Sequence, residues 1–262
     1  MTLSAVDAAR ATVVIVGGHE GGGDVALEPL SEYAEPLRAA SRGRLEETVR
    51  QALDGADLPV CVVPMTLGRD PRLIADTART LTGLTDGADA DRIVLAEPFG
   101  NATLLLGWLR VAVARASDPL EAKDLAVLLT ANAANPFDDA ELFRIGYLLK
   151  TQAELPWVEV AFHGGDPSLD EGIERCQRLG ASRVVVIPAG FGPATHHAST
   201  ASVIDGGPLL TPAEISGMLA TRIDAAMLKL SRGDDGINAG LDADHDHGHG
   251  GTPWQDPYPD AG

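Results

Sequence analysis

Short runs of β-branched and aliphatic residues alternate along the chain with longer segments in which apolar positions recur every three or four residues. The short runs, at 12–16, 60–63, 92–96, 126–130, 157–162 and 183–187, read as strands buried on both faces, with a weaker one at 202–204. The amphipathic segments, at 44–53, 71–81, 102–116, 138–150, 168–179 and 212–230, read as helices. Several carry start signals. "DPRL" and "DPSL" place a proline in the first turn, where its missing N–H costs nothing, and "TPAEI" adds a threonine cap with a glutamate three residues on. Strands alternating with helices over this length predict an α/β fold built on parallel sheet with right-handed crossovers.

The pattern also repeats loosely. The strand "VVIV" runs into "GGHEGG", and about 113 residues later "AVLL" runs into "TANAAN", which sets Asn132 where His19 stood. Likewise "VCVVP" runs into "MTLGRDP", and "RVVVIP" into "AGFGPATHH". This divides the chain into two similar lobes, 1–118 and 119–230, each a parallel sheet flanked by helices, with a cleft between them where strand ends present their loops. The first lobe is expected to lack one strand–helix unit of the second. Beyond Leu230 the aliphatic residues thin out, and 231–262 reads as a disordered tail rich in Asp, Gly and His.

Composition narrows the function. At 262 residues and 45% hydrophobic the chain can bury a substantial core. A net charge of −18 argues against nucleic acid and anionic membrane as partners, and is compatible with attracting cations. No apolar run is long enough to span a bilayer, and the first residues lack the basic-then-apolar order of a signal peptide. Cys61 and Cys176 sit far apart in apolar contexts, as expected of buried free thiols in a reducing cytoplasm.

Candidate chemistry concentrates in histidines. "VVIVGGHEGGGD" offers glycines but lacks the Gly-Lys-Ser/Thr of a phosphate loop, and His19–Glu20 occupies the turn that a dinucleotide fingerprint would need, so no nucleotide is expected. His19 stands at the end of the first strand, where ligands bind in such folds. "VVVIPAGFGPATHH" delivers His196 and His197 from a second strand end. Neutral imidazole suits Co²⁺, Ni²⁺, Fe²⁺ and Zn²⁺ and accepts protons near neutral pH. His163 precedes a turn and a helix, which favours a structural role. In the tail His245, His247 and His249 alternate with acids or glycine, either as a collector of divalent metal or as a solvating segment.

These residues resemble a known family. The strand leading into "GGH", and the segment "WVEVAFHGGDPSLDEGIERCQRLGASRVVVIPAGFGPATHH" with His196 eight residues after Pro188, are similar to the class II tetrapyrrole chelatases, in particular sirohydrochlorin cobaltochelatases of the CbiX type. The likeness runs over roughly 11–230. It implies insertion of a divalent metal substrate, Co²⁺ first and Ni²⁺ or Fe²⁺ next, into sirohydrochlorin or a related tetrapyrrole without ATP. It further implies a cleft in which paired histidines, or a histidine and a carboxylate, bind metal and take pyrrole protons. Here each lobe keeps half of the pair: "PMTLGRDP" offers Arg69 and Asp70 in place of a second histidine, and "LLTANAANP" replaces the first. His19 and His196 are therefore the expected catalytic pair and, with His197, the expected metal ligands. Arg69 and Arg72 are candidates for the macrocycle's carboxylates, and Glu20 and Glu97 for helper carboxylates. A non-catalytic metal- or tetrapyrrole-binding protein derived from a chelatase is the alternative. Two lobes in one chain favour a monomer.

Overall fold

The computed structural model describes residues 11–21, 37–85, 90–117, 124–192 and 202–244. In chain order the elements are β1 (Thr12–Gly17), β2 (Leu37–Ser41), α1 (Leu45–Gly55), β3 (Val60–Met65), α2 (Pro71–Thr82), β4 (Ile93–Leu95) and α3 (Ala102–Ser117). Then follow β5 (Leu125–Asn132), α4 (Pro136–Gln152), β6 (Trp157–His163), α5 (Leu169–Arg178), β7 (Arg183–Pro188), β8 (Val203–Asp205), α6 (Pro212–Leu230) and α7 (Ile237–Leu241). They build two four-stranded parallel sheets, ordered β2-β1-β3-β4 and β6-β5-β7-β8. The two orders are the same when read from the first strand of each half. The strand that the first lobe was expected to lack is β2, whose "LRAAS" carries too few apolar residues to read as a strand.

The sheets are buried on both faces, and alternate residues serve different cores. Val13 and Ile15 of β1, Cys61 and Val63 of β3, Val127 and Leu129 of β5 and Val185 and Ile187 of β7 all point into one inner core. Leu105 and Leu109 of α3, Leu142 and Ile145 of α4, and Ile215 and Leu219 of α6 complete it. Val14 and Val62 instead face α1 and α2, while Leu128 and Val186 face α5. The last long helix of each half crosses over. α3 packs on β7 and α4, and α6 packs on β3 and β4. β1–β4 form one sheet and β5–β8 the other, and a single inner core runs unbroken between them.

The segment after Leu230 corrects an expectation. It does not leave the body at that point. The carbonyl of Asp235 accepts the Leu95 N–H of edge strand β4 at 2.8 Å, and Ile237 is buried with Leu241 packed beside it in the core beneath α1 and α2. Gly236 makes the turn with φ +71°, and a Cβ there would overlap the Leu95 carbonyl. Residues 245–262 lie outside the described residues. Among the described residues no helix is long and apolar enough to cross a membrane.

Candidate functional site

The carboxyl ends of β1, β3, β5 and β7 meet at one seam between the sheets. β1 ends at Gly17, and His19 opens a single 3-10 turn, His19–Gly21. β3 ends at Met65 and leads through Thr66–Asp70 into α2, with Asp70 as its N-cap, accepting the Leu73 N–H at 3.0 Å. Asp70 is 51 residues from His19 in sequence, yet its Oδ2 lies 3.2 Å from the imidazole Nδ1. The same carboxylate receives Arg42 Nη2 at 2.5 and 2.6 Å. Burial pushes the Asp70 carboxyl up, but the hydrogen bond and charge of His19 and the Arg42 guanidinium outweigh it and hold it at about 2. An ionised carboxylate offers only acceptors, so Nδ1 of His19 must carry the proton. In the neutral ring that places the lone pair on Nε2. Among the described residues Nε2, itself buried, has no hydrogen-bond partner. The packing is close: a Cβ on Gly18 would overlap the Asp70 carboxylate.

Glu20 turns the other way, into the first lobe. It is 2% exposed, and its Oε2 accepts from the Thr66 hydroxyl and from the Leu67 N–H at 2.9 Å. Burial pushes its carboxyl up against the opposing pull of Arg69, Thr66 and His19. Glu20 Oε1 and Arg69 Nη1 are both buried without a hydrogen-bond partner among the described residues. Glu20 anchors the histidine turn from below.

The second lobe closes the seam. Asn132 Nδ2 donates to the His19 carbonyl at 3.0 Å, and the Phe191 N–H donates to the Glu20 carbonyl at 3.2 Å. Arg69 crosses in the opposite direction, with Nε on the Asp138 carbonyl and Nη2 on Asp139 Oδ1, each at 3.2 Å, and its guanidinium over the Phe162 ring. Asp138, in the first turn of α4, is near enough for His19 and Asp70 to act on its carboxyl. Burial raises it, His19 lowers it and Asp70 raises it again.

Several expected site residues fall into other roles. Arg69 has no exposed side-chain surface and is committed to α4, so it cannot receive a substrate carboxylate. Gly68, with φ +107° and backbone of the Asn101–Ala102 turn against the position of a Cβ, permits the turn from which Arg69 enters the seam. Glu97 is paired with Arg222 at 3.1 Å and Lys229 at 2.9 Å, which makes it a tie to α6 rather than a helper carboxylate. Arg72 is exposed in the first turn of α2. His163 ends β6 beside Asn132, and its backbone carbonyl accepts the Ala133 N–H. His196, His197, His245, His247 and His249 lie outside the described residues. Among the described residues no three His, Cys, Asp or Glu side chains gather into a metal cage. The sequence did not predict Arg42, Asn132 or Asp138 as site residues. Asn132 alone left a trace, as the residue standing in for a histidine.

No protein-family model matches the chain. A 99-residue stretch is 34% identical to the sirohydrochlorin cobaltochelatase of Priestia megaterium, covering 36% of this chain and 32% of that protein. The match thus spans about a third of that relative's length. In fold the chain is similar to SirB from Bacillus subtilis with Fe³⁺, with a TM-score of 0.56 at 14% identity over 86% of this chain and 98% of that one. It is also similar to the sirohydrochlorin chelatase SirB from Bacillus subtilis subspecies spizizenii in complex with cobalt, with a TM-score of 0.50 at 15% identity over the same shares. The likeness to the class II tetrapyrrole chelatases drawn from the sequence therefore holds in sequence over that stretch, and in fold over most of the chain.

Proposed function

We propose that this protein inserts a divalent metal ion, Co²⁺ first, into sirohydrochlorin or a closely related tetrapyrrole without nucleotide. One observation carries the reading: a buried, ionised Asp70 holds His19 through Nδ1, and Nε2 has no partner among the described residues where two sheets present their strand ends. A carboxylate behind a ligating histidine is the arrangement that fixes ring orientation and raises imidazole basicity. The likeness to the sirohydrochlorin cobaltochelatase of Priestia megaterium and the shared fold support it.

Metallation asks for a partly desolvated ion and for the loss of two pyrrole protons. A single lone pair on Nε2 can hold the ion or take a proton, but not both at once. The reaction therefore needs a second group, and His196 is assigned to it, with His197 beside it. Asp70 also stabilises His19 should the ring become imidazolium, the electrostatic part of general-base catalysis. Arg72, exposed at the head of α2, is assigned to the macrocycle's carboxylates. His245, His247 and His249 are assigned to collecting scarce metal.

The test is direct. Purified protein is incubated without oxygen with sirohydrochlorin and Co²⁺, and conversion of the free-base spectrum is followed. His19→Ala and His196→Ala should each remove most of the enzyme-dependent rate. A spectrum perturbed by binding, with no metallation beyond the uncatalysed rate, would establish the tetrapyrrole-binding alternative instead.

A further inference from the structure

The two sheets share one strand order, and their central strands β1 and β5 begin 113 residues apart, at Thr12 and Leu125. The same offset separates His19 from Asn132, the pair joined across the seam by the Asn132 Nδ2–His19 carbonyl bond at 3.0 Å. The second lobe's counterpart of the histidine thus touches the histidine itself, and touches its backbone. A primary amide is a poor ligand for a divalent transition metal, but it is a good neutral donor.

The two ends of that bond differ in rigidity. Asn132 is the last residue of β5, in register with His163 of β6, and the next N–H, of Ala133, is held by the His163 carbonyl. Its Cα is fixed by the sheet. His19 lies in one 3-10 turn between Gly18 and Gly21, and the turn's own backbone bond runs from the Gly21 N–H to the Gly18 carbonyl at 3.1 Å. Such a turn takes its position from outside contacts. Asp70 controls the ring through Nδ1, Glu20 ties the turn downward, and Asn132 and the Phe191 N–H secure its two carbonyls from the opposite lobe.

We infer that Asn132 is a positioning residue: the second lobe does not supply a second copy of the histidine ligand but a strap that sets the backbone of the first. Asp70 fixes ring rotation and Asn132 fixes the point from which the ring projects, so together they aim Nε2. This builds on the function proposed for His19, but its central claim concerns the imidazole and is testable without a tetrapyrrole.

The variant is Asn132→Asp, which keeps shape and replaces the donating amide by an acceptor that faces the His19 carbonyl. Asn132→Ser, too short to reach, is the second variant. Three readouts apply. In the native protein the Asn132 side-chain amide should show slow hydrogen exchange and a scalar coupling to the His19 carbonyl carbon, an observation that requires no variant to fold. In alkaline buffer the His19 ring, assigned with His19→Ala, should show one neutral tautomer in the native protein and a mixture in both variants. Co²⁺ alone, titrated by its visible absorption, should bind about 10–100-fold more weakly to the variants, as is usual for outer-sphere partners of a metal-binding histidine. In the insertion assay the metal KM should rise with the tetrapyrrole KM unchanged. An Asn132 amide without the coupling, or a variant whose His19 tautomer and Co²⁺ affinity match the native protein's, overturns the strap. If native protein binds no Co²⁺ through His19, the proposed function fails, while the amide and tautomer signals still decide the strap.

Discussion

Replacing Ile237 by alanine should destabilise the whole protein although it lies beyond the last long helix. Ile237 is 4% exposed and contributes to the core that includes Val14, Val62, Leu73 and Ala78. Removing three carbons from a buried isoleucine costs roughly 2–5 kcal/mol. α7 is short and near the end of the described chain, so partial collapse places the expectation at the lower end, about 2–3 kcal/mol. For a chain of this size that lowers the thermal midpoint by about 4–12 °C. Gly236→Ala should act in the same direction, because the residue would need a positive φ and its Cβ would meet the Leu95 carbonyl. The physical reason is edge protection. β4 is the outer strand of its sheet, and the Asp235 carbonyl satisfies its Leu95 N–H. Thermal unfolding followed by circular dichroism at a fixed scan rate measures the effect, with deletion of 245–262 as the control that should leave the midpoint unchanged. An Ile237→Ala midpoint within about 1 °C of the native value would refute the docking of this segment.

Two further perturbations probe the site. Gly18→Ala should displace the Asp70 carboxylate from His19 or Arg42, weakening Co²⁺ binding about tenfold and costing about 1–3 kcal/mol of stability by overpacking; unchanged titration and unfolding curves would contradict the crowding at Gly18. Asp70 carries an acid-dependent stability. With its carboxyl held at about 2 against an ordinary value of about 3.9, the native state gains about 2.5 kcal/mol that is fully present above about pH 5 and lost as pH falls through about 2. Urea midpoints of native protein and Asp70→Asn should therefore converge between about pH 5 and pH 2.5, and a gap that stays constant would count against an ionised, low-lying Asp70.

Sequence reveals the sheets because burial on both faces leaves runs such as "TVVIV" and "LAVLL" that only a covered parallel strand tolerates. It hides β2, where Arg38 and Ser41 interrupt the run and the pairing with β1 supplies the strand. It hides α7 for a related reason: two aliphatic residues in a polar stretch signal nothing until an exposed edge and a helix flank offer them a place. The site divides in the same manner. His19 is readable from its position after a strand, since strand ends host ligands. Asp70 is readable only as the residue replacing a histidine. Its bond to His19 is non-local, and so is its bond to Arg42. Arg69 and Glu97 mislead because a charge beside a strand end looks available until its partner, about 70 or 125 residues away, is known.

The exchanged helices explain why the strap can be tested without unfolding the protein. Leu105 and Leu109 of α3 and Ile215 and Leu219 of α6 are buried in a core that contains both sheets. At roughly 1.5–3 kcal/mol for each fully buried aliphatic, these four side chains hold the halves together by about 6–12 kcal/mol before entropy is counted. One neutral hydrogen bond contributes about 1 kcal/mol net. The approach of the lobes is thus set by α3 and α6, and the polar contacts at the seam act on the histidine turn lying between fixed walls. Asn132→Asp then perturbs the direction of Nε2 far more than the distance between the sheets. A loss of Co²⁺ affinity in a variant that keeps its unfolding midpoint would separate aiming from folding. A loss of both in proportion would mean that Asn132 serves the seam as a whole, and that the imidazole is only a bystander to it.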